Sequence, residues 1–292
     1  MKTDKLNNVS ERQPLNNPAW KCGEIKAAFF DIDGTLLSFE THRVSPGTVR
    51  AFERLHQAGV RTFLSTGRPE VLIPDMPVTF EGMITMNGAL VFLSGEQVAG
   101  SRQQVVGRDE LLSNPIRDEE LQAWLDFAKE NNLCTMVFTR DNMLLAQPNE
   151  IGLKLRNQLE FEMPPVVDID AMRKETVYQI IAIMPEALDA RVAELLPHCR
   201  LPRWHPYFTD IVAHDNSKAR GMEAICRHFG IRQEETLAFG DGANDIEMLE
   251  WAGIGVAMGN AADGVKQHAD RVTSDVDHEG IEMAVNEIID NS

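Results

Sequence analysis

The chain has no apolar run near the roughly 20 residues needed to cross a bilayer, so a membrane-spanning helix is not expected. Its first residues, MKTDKLNNVSERQPLNNP, carry no apolar core of a secretory leader, and a cytoplasmic location is the reading that follows. Cysteine is scarce and scattered: Cys22, Cys134, Cys199 and Cys226 form no close pair. That argues against a disulfide frame or a structural zinc site. Positive charge is also in short supply. Lys plus Arg number 28 against 45 Asp plus Glu, for a net charge of −17. Nucleic acid and anionic membrane surfaces are therefore poor partners. Internal repeats and low-complexity tracts are missing too.

What remains is ample for a buried core. The 292 residues are 43% hydrophobic, enough for one large or two modest domains. Residues 1–22 are polar and Asn-rich and are expected to be loosely ordered. The apolar run Ile25 to Phe30 then delivers Asp31-Ile32-Asp33-Gly34-Thr35. Two carboxylates crowded at a strand end repel each other unless a cation or a proton relieves them.

A helix follows near Ser45 to Ala58, with Ser45-Pro46 as its start and Gly59 as its stop. Val60 to Ser65 reads as a strand ending in Thr66-Gly67-Arg68, and Gly82 to Met86 as a third, ending at Asn87-Gly88. Strand, helix, strand at this spacing predicts a parallel sheet. The middle third differs. Hairpins are expected over Ala89–Phe92 with Gln97–Ser101, and over Cys134–Thr139 with Asn142–Gln147. Helices are expected near 118–131, 150–159 and 186–196, and strands at 176–184, 201–205 and 208–213. Alternation of helix and strand returns from Lys218, with a buried run Thr236 to Phe239 leading into Gly240-Asp241-Gly242-Ala243-Asn244-Asp245.

The fold class is therefore α/β: a Rossmann-like, doubly wound parallel-sheet core (23–86 and 214–292) with an inserted α+β cap domain (87–213). Asp31, Asp33, Thr66 and Asp241 all fall at the carboxyl ends of their strands, where open parallel sheets bind ligands.

These segments, in this order, resemble the haloacid dehalogenase superfamily. Asp31-Ile32-Asp33-Gly34-Thr35 matches its first motif, Thr66 its second, Lys218 its third, and Gly240 to Asp245 its fourth. About 150 residues separate Thr66 from Lys218, more than the roughly 100 of a small domain. A cap inserted there is similar to the Cof-type (IIB) branch. Ser65-Thr66-Gly67-Arg68, Met86-Asn87-Gly88-Ala89 and Gly255 to Ala261 also match that branch. Ser38 to Arg43, Gln147 to Glu150 and Arg203-Trp204-His205-Pro206 resemble hexose-phosphate phosphatases of gut Bacteroides-type bacteria.

The resemblance implies a phosphatase for small phosphorylated metabolites, sugar phosphates above all. Asp31 would be the nucleophile that forms an aspartyl-phosphate. Asp33 would protonate the leaving alcohol and then deprotonate water. A carboxylate attacking a phosphate dianion needs a cation, and an all-oxygen site suits Mg²⁺. Asp31, the backbone carbonyl of Asp33, and Asp241 would hold it, with Asp245 one layer further out. Thr66 and Lys218 would grip phosphoryl oxygens. Asn244, Arg68, Asn87, Gly88 and Trp204 are candidates for substrate contact. Members that keep a long-lived phospho-aspartate, and dehalogenases, lack the second acid, so Asp33 favours a hydrolase. A phosphomutase, or a binding module on an inherited scaffold, is the alternative. The chain is taken as a monomer, with a homodimer as the other option.

Each residue also has a plainer reading. Thr66 alone is a turn hydroxyl, Lys218 a solvated residue of a first helical turn, and Asn87-Gly88 a turn. Arg68 is equally a surface arginine, and Trp204 a core aromatic. His42 has no metal-ligand spacing around it.

Overall fold

Ala27-Ala28-Phe29-Phe30 forms strand β1 because every side chain in it finds cover on one face or the other. All four residues are fully buried. Phe30 stacks on Phe239 from the neighbouring strand on one side, with ring centroids 5.1 Å apart. Phe29 stacks on Phe63 at the same distance, and this pair belongs to a separate buried cluster. A strand buried on both faces is the mark of a sheet with helices on both sides. The computed structural model describes residues 25–94, 109–152, 164–203 and 205–290.

Around β1 the chain builds two sheets. The first contains β2 (Arg61–Ser65), β3 (Gly82–Thr85), β4 (Leu90–Leu93) and β5 (Glu110–Ser113). The inserted sheet contains β6 (Cys134–Phe138), β7 (Met143–Ala146), β8 (Gln179–Ile183), β9 (Cys199–Arg200) and β10 (Thr209–Ala213). The chain then returns to the first sheet with β11 (Thr236–Gly240), β12 (Ile254–Ala257) and β13 (Arg271–Val272). The eight-stranded order is β13-β12-β11-β1-β2-β3-β4-β5, and the five-stranded order is β7-β6-β8-β10-β9.

Strands β13 through β3 pair in parallel, while β4 and β5 add antiparallel at the edge. From β1 the chain winds one way to β2 and β3. It later winds the other way from β11 to β12 and β13. The strand order therefore reverses between β1 and β11, the place where such sheets open a crevice for ligands. Helices α1 (Pro46–Gln57) and α7 (Gly280–Asp290) cover one face through Phe52, Leu55, Ile281 and Val285. Helices α4 (Lys218–Phe229) and α5 (Ile246–Trp251) cover the other through Met222, Ile225, Met248 and Leu249.

The cap sheet is antiparallel throughout and carries α2 (Asp118–Glu130) and α3 (Asp189–Leu195) on one face. The short α6 (Asp263–Lys266) completes the described helices of the core.

Two expectations change. The inserted unit does not start at residue 87: β4 and β5 hydrogen-bond into the large sheet, so the cap sheet begins after Ser113. An antiparallel pair extending the edge of a parallel sheet reads, in sequence, like the opening hairpin of an insertion. The second strand expected for that hairpin, Gln97–Ser101, lies outside the described residues. Leu201–Arg203 is not a strand; Cys199 and Arg200 pair with β10 instead. The helix expected at 150–159 lies mostly outside the described residues, as do residues 1–22.

Candidate active site

Adjacent strands at the crevice bring the acids together. Asp31 follows β1 and Asp241 follows β11, and both strands end at the same edge of the sheet. Asp245 joins them from the turn that leads into α5. Carboxylate oxygens of Asp31, Asp241 and Asp245 all lie within 4.8 Å of one another.

One cation answers them. Lys218 is fully buried at the start of α4, and its Nζ donates to Asp31 Oδ1 at 2.6 Å and to Asp245 Oδ1 at 2.5 Å. The helix start is set locally. Ser217 caps it by accepting from the Arg220 N–H at 3.2 Å, which aims the first-turn lysine at the strand ends. The plain reading of Lys218 as a solvated residue is thereby overturned.

Charge balance in this cluster is incomplete. Burial pushes the Asp31 carboxyl well above its usual range and Asp245 adds to the effect, while Lys218 opposes both. Burial, then Asp245, raises Asp241 to about 7. For Lys218, burial pulls downward, but the charges of Asp245 and Asp31 outweigh it and the ammonium is held well above the ordinary value. Three carboxylates with one ammonium leave room for a divalent cation, and the donor set is all oxygen, which fits Mg²⁺. Asp31 and Asp241 would face it, with Asp241 accepting from Thr35 Oγ1 at 3.5 Å and from Asn260 Nδ2 at 3.0 Å. Asp245 is more heavily used: its Oδ1 accepts from Lys218 and its Oδ2 from the backbone N–H groups of Asp241 and Gly242. It suits a residue that holds the ligand loop in place.

Asp33 stands apart. Its carboxylate is not in the cluster; it is about two-fifths exposed and paired to Arg68. Arg68 Nε donates to Asp33 Oδ2 at 2.8 Å, Nη2 to Oδ1 at 2.6 Å, and Nη1 to the Leu72 carbonyl at 2.8 Å. Arg68 is about one-third exposed and is engaged by this pair and by the Leu72 carbonyl. Directly after Asp33, Gly34 takes φ +78°, and a Cβ there would run into the Asp241 carboxylate and Phe39. Only glycine permits both the turn and the close approach.

Thr66 is buried at the end of β2, and its Oγ1 accepts the Arg68 backbone N–H at 3.0 Å. Met86 and Asn87 both adopt positive φ, 50° and 55°, in the turn after β3. Such backbone collects at functional sites. Asn87 Oδ1 accepts from Asn244 Nδ2 at 3.1 Å, tying this turn to the turn that follows β11. Gly88 has a packing reason to be glycine, because a Cβ at its φ of 91° would meet the Ser217 carbonyl.

Asn260 was not anticipated as a site residue. Its Nδ2 donates to Asp241 Oδ2 at 3.0 Å and to the Gly34 carbonyl at 2.9 Å, joining the first motif to the fourth. The available signal was its place in the Gly255 to Ala261 phrase. Trp204 lies outside the described residues. Its neighbour His205 stacks on Phe208 with centroids 4.8 Å apart, while Tyr207 is half exposed. His42 is exposed, at φ 52°, and belongs to no cluster of metal-ligating groups among the described residues. No described helix is long and apolar enough to cross a membrane.

Comparison with known proteins agrees with this geometry. Residues 28–285 match the family model of haloacid dehalogenase-like hydrolases. The chain is 38% identical to the subclass IIB sugar phosphatase BT4131 of Bacteroides, with a TM-score of 0.78, covering 90% of this chain and 98% of that one. It is 32% identical to the phosphatase BT1666 of Bacteroides thetaiotaomicron, with a TM-score of 0.80, covering 91% and 96%. The 5-amino-6-(5-phospho-D-ribitylamino)uracil phosphatase YitU of Bacillus subtilis is 29% identical over 267 residues, 86% of this chain and 93% of that one. With a family model spanning nearly all the described core and cap, the chain belongs to the haloacid dehalogenase-like hydrolase family, in its Cof-type IIB branch.

Proposed function

We propose that this enzyme is a Mg²⁺-dependent phosphatase of small phosphorylated metabolites, sugar phosphates foremost, working through an aspartyl-phosphate on Asp31. The observation that carries the proposal is the buried Asp31–Lys218–Asp245 chain of ion pairs beside Asp241, at the switch point of the sheet.

Asp31 attacks the phosphorus atom, and the P–O bond to the alcohol breaks. Lys218 and the Thr66 hydroxyl hold the phosphoryl oxygens as charge builds on them. Asp33 gives its proton to the departing alkoxide. It then takes a proton from the water that attacks the aspartyl-phosphate, releasing inorganic phosphate and restoring Asp31. Asp31, Asp241 and the Asp33 backbone carbonyl would hold Mg²⁺. When bound, the ion supplies the charge that lets a carboxylate meet a phosphate dianion. Asn87 and Asn244 fix the rim of the site through their mutual hydrogen bond.

A phosphate-release screen over hexose and pentose phosphates, nucleotides, flavin mononucleotide and pyridoxal phosphate, with and without Mg²⁺, tests the reading. Release should need Mg²⁺ and be fastest with sugar phosphates. Asp31→Asn should abolish it, and Asp33→Asn should let labelled phospho-enzyme accumulate. Full Mg²⁺-dependent turnover by Asp31→Asn would sink the mechanism.

A further inference from the structure

The cap sheet has two unlike faces. Val137, Ile180, Ala182 and Ile211 point to the side covered by α2 and α3, where they join Trp124 and Val192 in one buried cluster. The opposite face carries Met136, Phe138, Leu145 and Ile183. These belong to a cluster that continues into the core through Met86 and Ala89, next to Asn87.

Gln179 stands on this second face. Its Cα partners are Phe138 on β6 and Val212 on β10, both buried and apolar. The side chain of Gln179 is buried, at 5% exposure, and its Oε1 accepts no hydrogen bond among the described residues. An amide in that state weakens the fold, and a methionine or leucine would fill the same space without the penalty. Asp210, 6% exposed, is the Cα partner of Ile181 and so lies on the same face, diagonal to Gln179. The face thus has a polar spot within an apolar surround.

The spot lies at the end of the cap sheet nearest the core. One residue before Gln179, the Tyr178 hydroxyl meets Ser113 Oγ of β5 at 2.9 Å. Two residues before it, the Val177 carbonyl takes the Ile116 N–H of the segment that links the sheets. Val212 is one residue from the end of β10, where the chain leaves for Ser217 and Lys218.

We propose that Gln179 is a specificity-determining residue whose Oε1 accepts a hydroxyl of the substrate's leaving group. The proposal rests on the phosphatase reading above. An amide oxygen cannot bind a phosphate oxygen, which brings no proton, but it matches an alcohol of a phosphorylated polyol or sugar. Phe138 and Met136 beside it offer an apolar surface to the C–H face of a sugar ring. The unpaired oxygen is then satisfied only when substrate is present, which makes it a discriminator.

The test uses Gln179→Met in the full chain. Hexose 6-phosphates and acetyl phosphate, which has no polyol leaving group, are compared by kcat/KM. Hexose phosphates should lose at least tenfold more than acetyl phosphate, with the loss carried mainly in KM. The melting temperature should hold or rise. An equal loss on both substrates, or a clear fall in melting temperature, would overturn the assignment by showing a structural amide. In parallel, calorimetry measures hexose 6-phosphate binding to Asp31→Asn with and without Gln179→Met. The double variant should bind about tenfold more weakly. Equal binding, or no binding by Asp31→Asn, rejects the role of Gln179. That arm needs no turnover, so it decides the point even where phosphate release fails and only the phosphatase reading falls.

Discussion

Arg68 and Asp33 are locked together by two parallel hydrogen bonds, 2.8 Å from Nε and 2.6 Å from Nη2, although 35 residues separate them in sequence. The proposed acid/base is thus held in one orientation by a planar fork, itself anchored to the Leu72 carbonyl. Such a fork fixes both carboxylate oxygens, which a lysine cannot do. Arg68→Ala should lower kcat about 10- to 100-fold, because proton transfer depends on placement. Arg68→Lys should recover only part. Steady-state kinetics decide the point: unchanged kcat in Arg68→Ala would show that Asp33 needs no positioning.

Removing Lys218 leaves the buried Asp31 and Asp245 and the half-buried Asp241 without the one side-chain cation that pairs with this cluster among the described residues. Its side chain is fully buried against Asp31 and Asp245. Breaking a buried pair from one side costs roughly 3–5 kcal/mol. Lys218→Met should lose about that much in urea unfolding with chelator present. The double variant Lys218→Met/Asp245→Asn should regain part of it, because one stranded charge is gone. If the two substitutions simply add, Lys218 and Asp245 are not coupled and the electrostatic account fails.

The sequence exposed what local patterns encode. Ser45-Pro46 reads as a helix start, and Ser45 does cap α1, its side chain accepting from the Thr48 N–H. Asp31, Thr66 and Asp241 lie at strand ends because each follows a short buried run. The Arg68–Asp33 fork was hidden because a pair so far apart in sequence forms only once β1 and β2 are side by side. Asn260 was missed for the same reason: its partners Gly34 and Asp241 come from two other segments. The edge strand β5 escaped because its outer residues Glu110 and Ser113 are exposed and Leu111 and Leu112 half-buried. Pairing with β4 selects it, not its own alternation. Gln179 looks like one polar residue in a strand, and that its Oε1 has no partner among the described residues emerges only from the packing.

Gly88 tests how tightly the Asn87 turn is wedged against the helix that carries Lys218. At φ 91°, a Cβ would collide with the carbonyl of Ser217, the N-cap of α4. Backbone cannot swing aside as a side chain can. Gly88→Ala should cost more than about 2 kcal/mol, above the ordinary penalty of roughly 1 kcal/mol for alanine at positive φ. It should also depress activity by shifting Lys218. Gly59, at φ 77° with open space around it, is the comparison: Gly59→Ala should pay only the ordinary penalty. Equal melting temperatures for the two variants would mean that the wedge yields easily.

Asp241 makes the metal-free protein sensitive to pH in a definite direction. Burial and Asp245 raise its carboxyl from 3.8 to about 7. Between those values the folded state holds a proton that the unfolded chain has released, so stability falls as pH rises. The contribution is complete below about pH 4 and gone above about pH 7. A bound divalent cation replaces that proton, so it stabilises most where the proton is absent. With chelator, the melting temperature should drop between pH 5 and pH 8. Added Mg²⁺ should raise it by more at pH 8 than at pH 5, and Asp241→Asn should flatten both trends. Thermal melts at the two pH values check this. An equal gain from Mg²⁺ at both would show that the ion does not compete with protons at Asp241, and would remove this residue from the proposed ligand set.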